Sequence, residues 1–495
     1  MNINLLSVIP LLLLFTACKT TEPYETADMD LPREYHSPDS ISQDQDLPLP
    51  DSVSKNLEDT LIPWDEFFQD PVLVELINDV FKQNFDLRTA NKEIAINEQY
   101  YKQSKAAFWP SLNLNLLNIE REWSSRNSSS SVEDDWYDHK GKEPPENMYV
   151  STSEYSSSMA LDWELDIWGK LRKKKRAEKA FYLQSFEARK AIQTAVVATV
   201  AEDYYNLLML DEQILIAERN YSLRDSTLNM IKLQYDSGEA SSLAVQQSRS
   251  QVLEAKALLP TLEKEQAMLE NKLRLLVGKL PGNIKRGAKF TALDKTYAGV
   301  RDLPAHLVQN RPDVKIAEYE LQAAHANAGT AMVARYPNLG ISLTGGTSSV
   351  LASNWLDIPG SIFGSVVGGL TAPLFNNREL KTQYEVAKLE RDEAEISFQQ
   401  SVYQAIVDIE DATVSIDKLQ ERLDIAKEQR EVAQNALIDS RRLYRSGYAT
   451  YLEVITAQSE ALDSELALVR AKANLLSARI QLYRALGGGW NYGDS

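Results

Sequence analysis

The chain has 495 residues, 43% of them hydrophobic and 25% charged, and a formal net charge of −18. Such an acidic chain is a poor nucleic-acid binder, because a phosphate backbone needs a basic surface. The single cysteine, Cys18, excludes an internal disulfide and any zinc site built on thiolates.

Taken in chain order, the first feature is an apolar stretch from Leu5 to Ala17, 13 residues long. That length suits the core of a signal peptide and is too short to span a bilayer as a helix. Thr16 and Ala17 are small and stand just before Cys18. The segment resembles a bacterial lipoprotein signal, in which residues 1–17 are removed and Cys18 becomes the lipidated terminus anchored in membrane lipid. The alternative is an ordinary signal peptide with an incidental cysteine. Lys19 follows, so no aspartate marks retention at the inner membrane. Residues 18–60 are acidic and, from residue 19 on, carry five prolines with little periodicity, as an extended leader does. No later stretch reaches 18 consecutive apolar residues, so a membrane crossing by the mature chain requires strands closed into a barrel.

The body repeats itself. Asn84 and Pro110 lie 26 residues apart around one helical run, and Asn310 and Pro337 lie 27 apart around another. Tyr235 and Gly238 recur as Tyr444 and Gly447 at an offset of 209, and Leu243, Val245 and Gly278 recur at the same offset as Leu452, Val454 and Gly487. The expected organisation is a first repeat over 61–278, a connector over 279–305, a second repeat over 306–487 and a tail over 488–495. Such duplication constrains the architecture strongly.

Each repeat reads as helix, strand, strand, long helix, helix. Between Glu154 and Trp168 the odd positions are mainly apolar, including Met159, Leu161, Trp163 and Leu165, while the even positions are acidic or small. This is the period-two pattern of a strand with one apolar face. Asp162, Glu164 and Asp166 are expected to line a wet lumen. Leu112, Leu114 and Leu116 alternate and then slip phase to Leu117 and Ile119, which predicts a bulge. Ser124 to Tyr149 forms a polar insert with six acids and three bases, read as a solvated loop. Trp109, Trp168, Tyr336 and Phe375 each sit beside a proline, glycine or asparagine breaker at a strand–helix joint, and aromatic residues there suit a membrane–water interface.

Residues 171–237 and 379–446 contain no proline and no internal glycine, so each can form a helix of roughly 100 Å. Leu419, Leu423, Ala426, Ala433 and Leu437 recur at coiled-coil spacing. The basic run Arg172-Lys173-Lys174-Lys175-Arg176 reads as a solvated or interfacial helix face. Gly238 and Gly447 break the two long helices, and a second helix returns from each. Four strands cannot close a barrel alone, since known transmembrane barrels have eight or more. The chain therefore reads as mostly α with a membrane β portion shared between copies. His36, His139, His306 and His325 lie far apart, and no catalytic or phosphate-binding motif or cofactor motif occurs, which argues against an enzyme.

Several segments together resemble the outer-membrane efflux proteins, the TolC-like channels. They are Trp64-Asp65-Glu66-Phe67-Phe68 with Asp70-Pro71; Trp163 to Arg172; Arg311-Pro312-Asp313-Val314 with Ala317-Glu318 and Tyr336-Pro337; and Gly447 to Val454 with Ala457-Gln458. The resemblance covers about residues 60–490. With Cys18 it points to the lipoprotein branch, which serves resistance–nodulation–division pumps for drugs or metal ions.

The resemblance implies a homotrimer with a 12-stranded β-barrel in the outer membrane and a long α-helical barrel through the periplasm. It also implies a periplasmic adaptor at the hairpin tips, an inner-membrane pump, an insert 124–149 facing outside, and a passive exit duct. In the family, acids just after each glycine turn form rings that narrow the tip. Glu453 matches such a position, whereas Thr456 and Ala244 stand where further acids are expected. One Glu453 ring, with packing by Tyr448, Tyr451 and Leu452, is then the expected closure. The competing reading of Glu453 is a helix-start acid. Alternatives for the whole chain are a lipid-anchored periplasmic coiled-coil scaffold or adaptor without a pore, and a duct for secreted protein.

Overall fold

A computed structural model describes residues 64–68, 70–125, 149–287, 290, 308 and 310–488. The signal segment 1–17, Cys18, the leader 18–60, and most of the insert 124–149, the connector 279–305 and the tail 488–495 lie outside the described residues.

In chain order the elements are α1 (Trp64–Phe67), α2 (Pro71–Gln83), α3 (Phe85–Ala106), β1 (Ser111–Ser125), β2 (Tyr149–Leu165), α4 (Lys170–Asp236) and α5 (Ser242–Leu276). There follow α6 (Pro312–Val333), β3 (Asn338–Ser349), β4 (Ile362–Thr371), α7 (Glu379–Arg445) and α8 (Tyr451–Ala485). The duplication is visible in the lengths. Helices α3 and α6 have 22 residues each, α4 and α7 have 67 each, and α5 and α8 have 35 each.

The chain forms two compact units, and each draws on both repeats. The sheet unit comprises Asn97–Phe181 and Leu321–Glu393. Its strands lie in the order β1-β2-β3-β4, all antiparallel. Residues directly opposite one another share a face. Leu112, Leu161, Leu343 and Val366 thus form one apolar row across the four strands. Ser111, Asp162, Ser342 and Val367 form a row on the other face, followed by Asn113, Ala160, Thr344 and Ser365. The pairing slips between Asn115 and Asn118, where β1 carries one extra residue. This bulge returns Ile119 to the apolar face opposite Tyr155, as the phase change in the sequence predicts. Strands β2 and β3 approach so closely at Gly346 that a Cβ there would lie 1.9 Å from the Ser157 carbonyl oxygen.

Among the described positions the helical unit contains the first helices up to Ile96, residues 182–287, 290, 308, 310–320 and 394–488. Its core gathers Phe68, Leu73, Ile77, Val197, Val200, Tyr204, Leu207, Leu273 and Ile480, all nearly or fully buried. Each such side chain contributes about 1.5–3 kcal/mol by leaving water. Phe67 and Phe68 pack on the Tyr483 ring at centroid distances of 5.1 and 5.4 Å. Asp70 caps α2 by accepting from the Val72 amide at 2.8 Å, and its second oxygen accepts from the Tyr204 hydroxyl at 2.9 Å. The Tyr204 oxygen in turn accepts from the Gly287 amide at 3.0 Å. Burial pushes the Tyr204 phenol well above its ordinary range, so it stays a donor. Farther along, Leu423, Ala426, Ala471 and Leu475 join α7 to α8. Small side chains let these two backbones approach.

Candidate functional site

In the sheet unit the apolar face is open. Leu112, Leu114, Leu116, Met159, Trp163, Leu343, Val366 and Leu370 are between 38% and 74% exposed. A soluble sheet would cover such a face. The opposite face is polar and internally bonded: the Ser342 hydroxyl donates to Asp162 at 2.7 Å and the Ser348 hydroxyl to Glu154 at 2.6 Å. Asp162 and Glu164 lie on that face of β2, and Glu164 also takes Lys170 at 2.9 Å.

Asp166 does not. It lies past the end of β2, where its carboxylate accepts from the Leu171 amide at 2.8 Å, the Arg172 amide at 3.1 Å and the Arg172 Nε at 3.0 Å. The expectation that it lines a lumen with Asp162 and Glu164 is corrected: it caps α4. Four donor N–H groups are orphaned at any helix start, and a carboxylate there satisfies some of them and suits the positive end of the dipole.

The aromatic residues at the joints fall into two kinds. Trp109 is 78% exposed and Phe375 is 87% exposed. Trp168 is half-buried and stacks on Tyr336 at 5.3 Å, while its indole N–H donates to the Pro337 carbonyl at 2.7 Å. The stack joins the β2–α4 joint of the first repeat to the α6–β3 joint of the second.

In the helical unit the hairpin tips form the second candidate region. Gly238 and Gly447 hold φ of +78° and +73°, which other residues adopt only with strain. Glu239 N–H bonds back to the Gln234 carbonyl at 2.8 Å, and Tyr448 N–H to that of Leu443 at 2.9 Å. Both long helices therefore end in the same way. The amide and the hydroxyl of Thr450 both donate to Glu453 Oε2, so this carboxylate caps the start of α8. Glu453, Leu452, Thr456 and Tyr448 are exposed, Tyr448 by 83%. Ala244 is buried, so that position packs and presents nothing to a lumen.

The two hairpins are tied by neutral hydrogen bonds that the sequence did not suggest. Tyr444 OH donates to Gln234 Oε1, and Tyr451 OH donates to Gln247 Oε1. Deeper in, Gln458 Nε2 donates to Thr227 Oγ1 at 2.8 Å, both residues being buried, and Arg219 pairs with Glu465. Tyr444 and Tyr451 were visible beside the glycine turn. Gln234 and Gln247 carried no signal, because only tertiary packing selects them.

The Arg-Pro-Asp segment performs a different task. Arg311 is buried and makes five hydrogen bonds. Its Nε and Nη2 reach Asp313 at 3.0 and 2.6 Å, Nη2 reaches Asp408 at 2.8 Å, and Nη1 reaches the carbonyls of Ala405 and Ala485 at 3.3 and 2.8 Å. Burial alone would lower its pKa, but Asp313 and Asp408 outweigh that and raise it. Arg311 thus fastens the start of α6 to α7 and to the end of α8. A cavity of about 660 Å³ beside it is lined by Asp411, Asn474, Gln481 and Arg484 among others.

Comparison with known proteins agrees with this construction. The family described as outer membrane efflux protein matches residues 76–279 and 303–488. The chain is 28% identical over 438 residues to the solvent efflux pump outer membrane protein SrpC of Pseudomonas putida, covering 86% of this chain and 87% of that one. It is 27% identical over 495 residues to the probable outer membrane lipoprotein SilC of Salmonella typhimurium, covering 99% of each. The fold matches the CusC crystal structure with a TM-score of 0.76 at 24% identity, over 95% of this chain and 100% of that one. It matches the CmeC outer membrane channel of Campylobacter jejuni with a TM-score of 0.80 at 17% identity, over 95% and 96%. The chain belongs to the outer membrane efflux protein family, whose members are outer-membrane channel components of efflux systems extending into the periplasm.

Proposed function

We propose that three copies of the chain close their sheets into one 12-stranded barrel and their helical hairpins into one tunnel, giving a passive exit duct for small molecules. The observation that carries this is the sheet itself. One face is apolar and exposed across all four strands, the other is polar, and β1 and β4 are edges. Such a sheet is stable in lipid only if its edges pair, because unpaired backbone groups in hydrocarbon cost several kcal/mol each. The two edges come from different repeats and are unlike, so copies join head to tail and a ring results when the rotation closes. Exposed apolar rows on the helices fit the same closure: Leu243, Leu253, Met268 and Leu275 on α5, and Tyr403, Val407, Val414, Ile425 and Val432 on α7.

In this duct the hairpin tips are the narrow end. Glu453 residues from three copies form one anionic ring, flanked by Thr456, Leu452, Tyr451 and Tyr448, and the turns at Gly238 and Gly447 meet a periplasmic adaptor. An inner-membrane pump of the resistance–nodulation–division type supplies the energy. Asp162 and Glu164 face the lumen, Trp109, Trp168, Tyr336 and Phe375 mark the membrane boundary, and a lipidated Cys18 anchors the leader.

The test is native mass spectrometry of the detergent-extracted protein, followed by conductance in planar bilayers. A mass of three chains and discrete channel openings support the duct. A monomer released by alkaline carbonate, with no conductance, would leave the scaffold reading instead.

A further inference from the structure

Residues Lys170 to Ala180, the first three turns of α4, hold seven bases and one acid, Glu178, in a chain whose net charge is −18. Cations at the start of a helix stand at the positive end of its dipole, where they are destabilising. Something outside the helix must favour them. The duplication provides an internal comparison. Helix α7 has the same length and begins 209 residues later. Arg172, Lys175, Arg176 and Lys179 lie at i, i+3, i+4 and i+7 and so share one face of α4. The corresponding face of α7 reads Lys381, Tyr384, Glu385 and Lys388, with Glu385 and Lys388 paired at 3.8 Å. The same place in the fold is thus built with little net charge, and packing does not require the cations of α4.

The basic face adjoins the aromatic joint. Lys175 Nζ lies 5.8 Å from the Phe108 ring centroid, next to the exposed Trp109, and Trp168 stacks on Tyr336 just before α4 begins. Arg172 is held by Asp166 at 3.0 Å. Arg176 and Lys179 are exposed and form no ion pair among the described residues. Lys174 is also exposed, but the helical period places it on the opposite side of α4. Positive charge is dense enough here that burial, with repulsion from Arg176 and Arg172, pushes the Lys173 ammonium below its ordinary range.

We propose that Lys175, Arg176 and Lys179 bind the phosphate headgroups of anionic phospholipids in the membrane leaflet that faces the periplasm. The inference rests on the reading that the sheet sits in the outer membrane. A guanidinium and two ammonium groups on one face, about two to three turns beyond Trp168 in the chain, are complementary to a plane of phosphates. The contact holds the sheet at its depth in the bilayer.

The experiment uses the full-length assembly equilibrated in mixed micelles with equal phosphatidylglycerol and phosphatidylcholine, re-isolated, and analysed for retained lipid by mass spectrometry. The wild type retains phosphatidylglycerol in preference. Lys175→Gln/Arg176→Gln/Lys179→Gln lowers that preference at low salt by about fivefold for each charge, ~100-fold in all. Lys174→Gln leaves it unchanged, and the unfolding temperature of the triple variant does not fall. An unchanged preference in the triple variant overturns the proposal. So does an equal loss in Lys174→Gln, or displacement of the lipid by millimolar inorganic phosphate, which would mark a site for the free anion. Conductance of the same samples in phosphatidylcholine bilayers separates the two claims. Conducting channels without lipid preference sink only the headgroup site, whereas samples that never conduct sink the membrane reading beneath it.

Discussion

Arg311 Nη2 and Asp408 Oδ2 lie 2.8 Å apart although their residues are 97 positions apart in the chain. This bond, with the partners of Arg311 on Asp313, Ala405 and Ala485, joins three helices at a buried point. Asp408 and Asp313 are 37% and 49% exposed, so removing the buried guanidinium leaves carboxylates that water still reaches and costs mainly its hydrogen bonds, about 1.5–3 kcal/mol for each one that water does not replace. Arg311→Ala is therefore expected to lower the unfolding temperature and the yield of folded protein sharply. Asp408→Asn, which keeps a hydrogen-bonding oxygen, is expected to cost about 1.5–3 kcal/mol. Thermal unfolding of the detergent-solubilised protein checks both, and an Arg311→Ala protein as stable as wild type would refute the assignment.

The tip contacts are expected to act as neutral latches. Tyr444→Phe removes the donor to Gln234 at about 0.5–1.5 kcal/mol, and Gln234→Ala removes the acceptor at a similar cost. Single-channel conductance should rise in each. A double-mutant cycle should show coupling of similar size, and strictly additive effects would mean the two groups do not act together. Burial raises the Tyr444 phenol above its ordinary range, with Gln234 opposing and Glu239 adding to the shift. The phenol therefore stays protonated across neutral pH. The rise in conductance should persist unchanged from pH 6 to about 9.

For Glu453 the charge and the cap can be separated. Glutamine is also accepted at the third position of a capping box, so Glu453→Gln keeps the start of α8 and removes the carboxylate. The unfolding temperature should hold while the cation-over-anion permeability ratio falls at low salt. If reversal potentials in a salt gradient are the same in both proteins, Glu453 is a cap and nothing more.

Sheet closure is sensitive at one glycine and tolerant at another. Gly346 has no room for a Cβ, which would lie 1.9 Å from Ser157 O and 2.7 Å from Ser158 Cα, both backbone atoms. Gly364 has nothing within 4 Å. Gly346→Val is expected to lower the yield of folded protein at least about tenfold, whereas Gly364→Val stays near wild type. Equal yields on a native gel would show that β2 and β3 can separate without loss.

The sequence made some of this legible and hid the rest for physical reasons. Local periodicity revealed β2, and the Leu116-Leu117 doublet revealed the bulge, since an extra residue must reverse the alternation. The glycine turns were equally plain, because few other residues reach positive φ. Asp166 misled for the same local reason: the period-two acids Asp162, Glu164 and Asp166 run on past Leu165, where the strand stops and the chain turns through Gly169 at φ +78°. Arg311 stood out as part of a motif, but its partner Asp408 could be named only once the helices were packed. Gln234 and Gln247 were invisible, as ordinary polar residues on helices whose neighbours are fixed by tertiary structure.

The matched helix lengths, 67 and 35 residues in both repeats, carry a consequence for how such a chain can change. One residue inserted in α4 near Leu210 would rotate everything beyond it by about 100° and advance it by about 1.5 Å. Gln234 would then leave Tyr444, and the tips would part. Two whole turns, seven residues, disturb the phase by only about 20°. Reach is therefore a quantised and linked trait. A lineage that lengthens this protein must do so in steps that keep the helical phase, such as about seven or about eleven residues, and must copy each step into both halves of the gene.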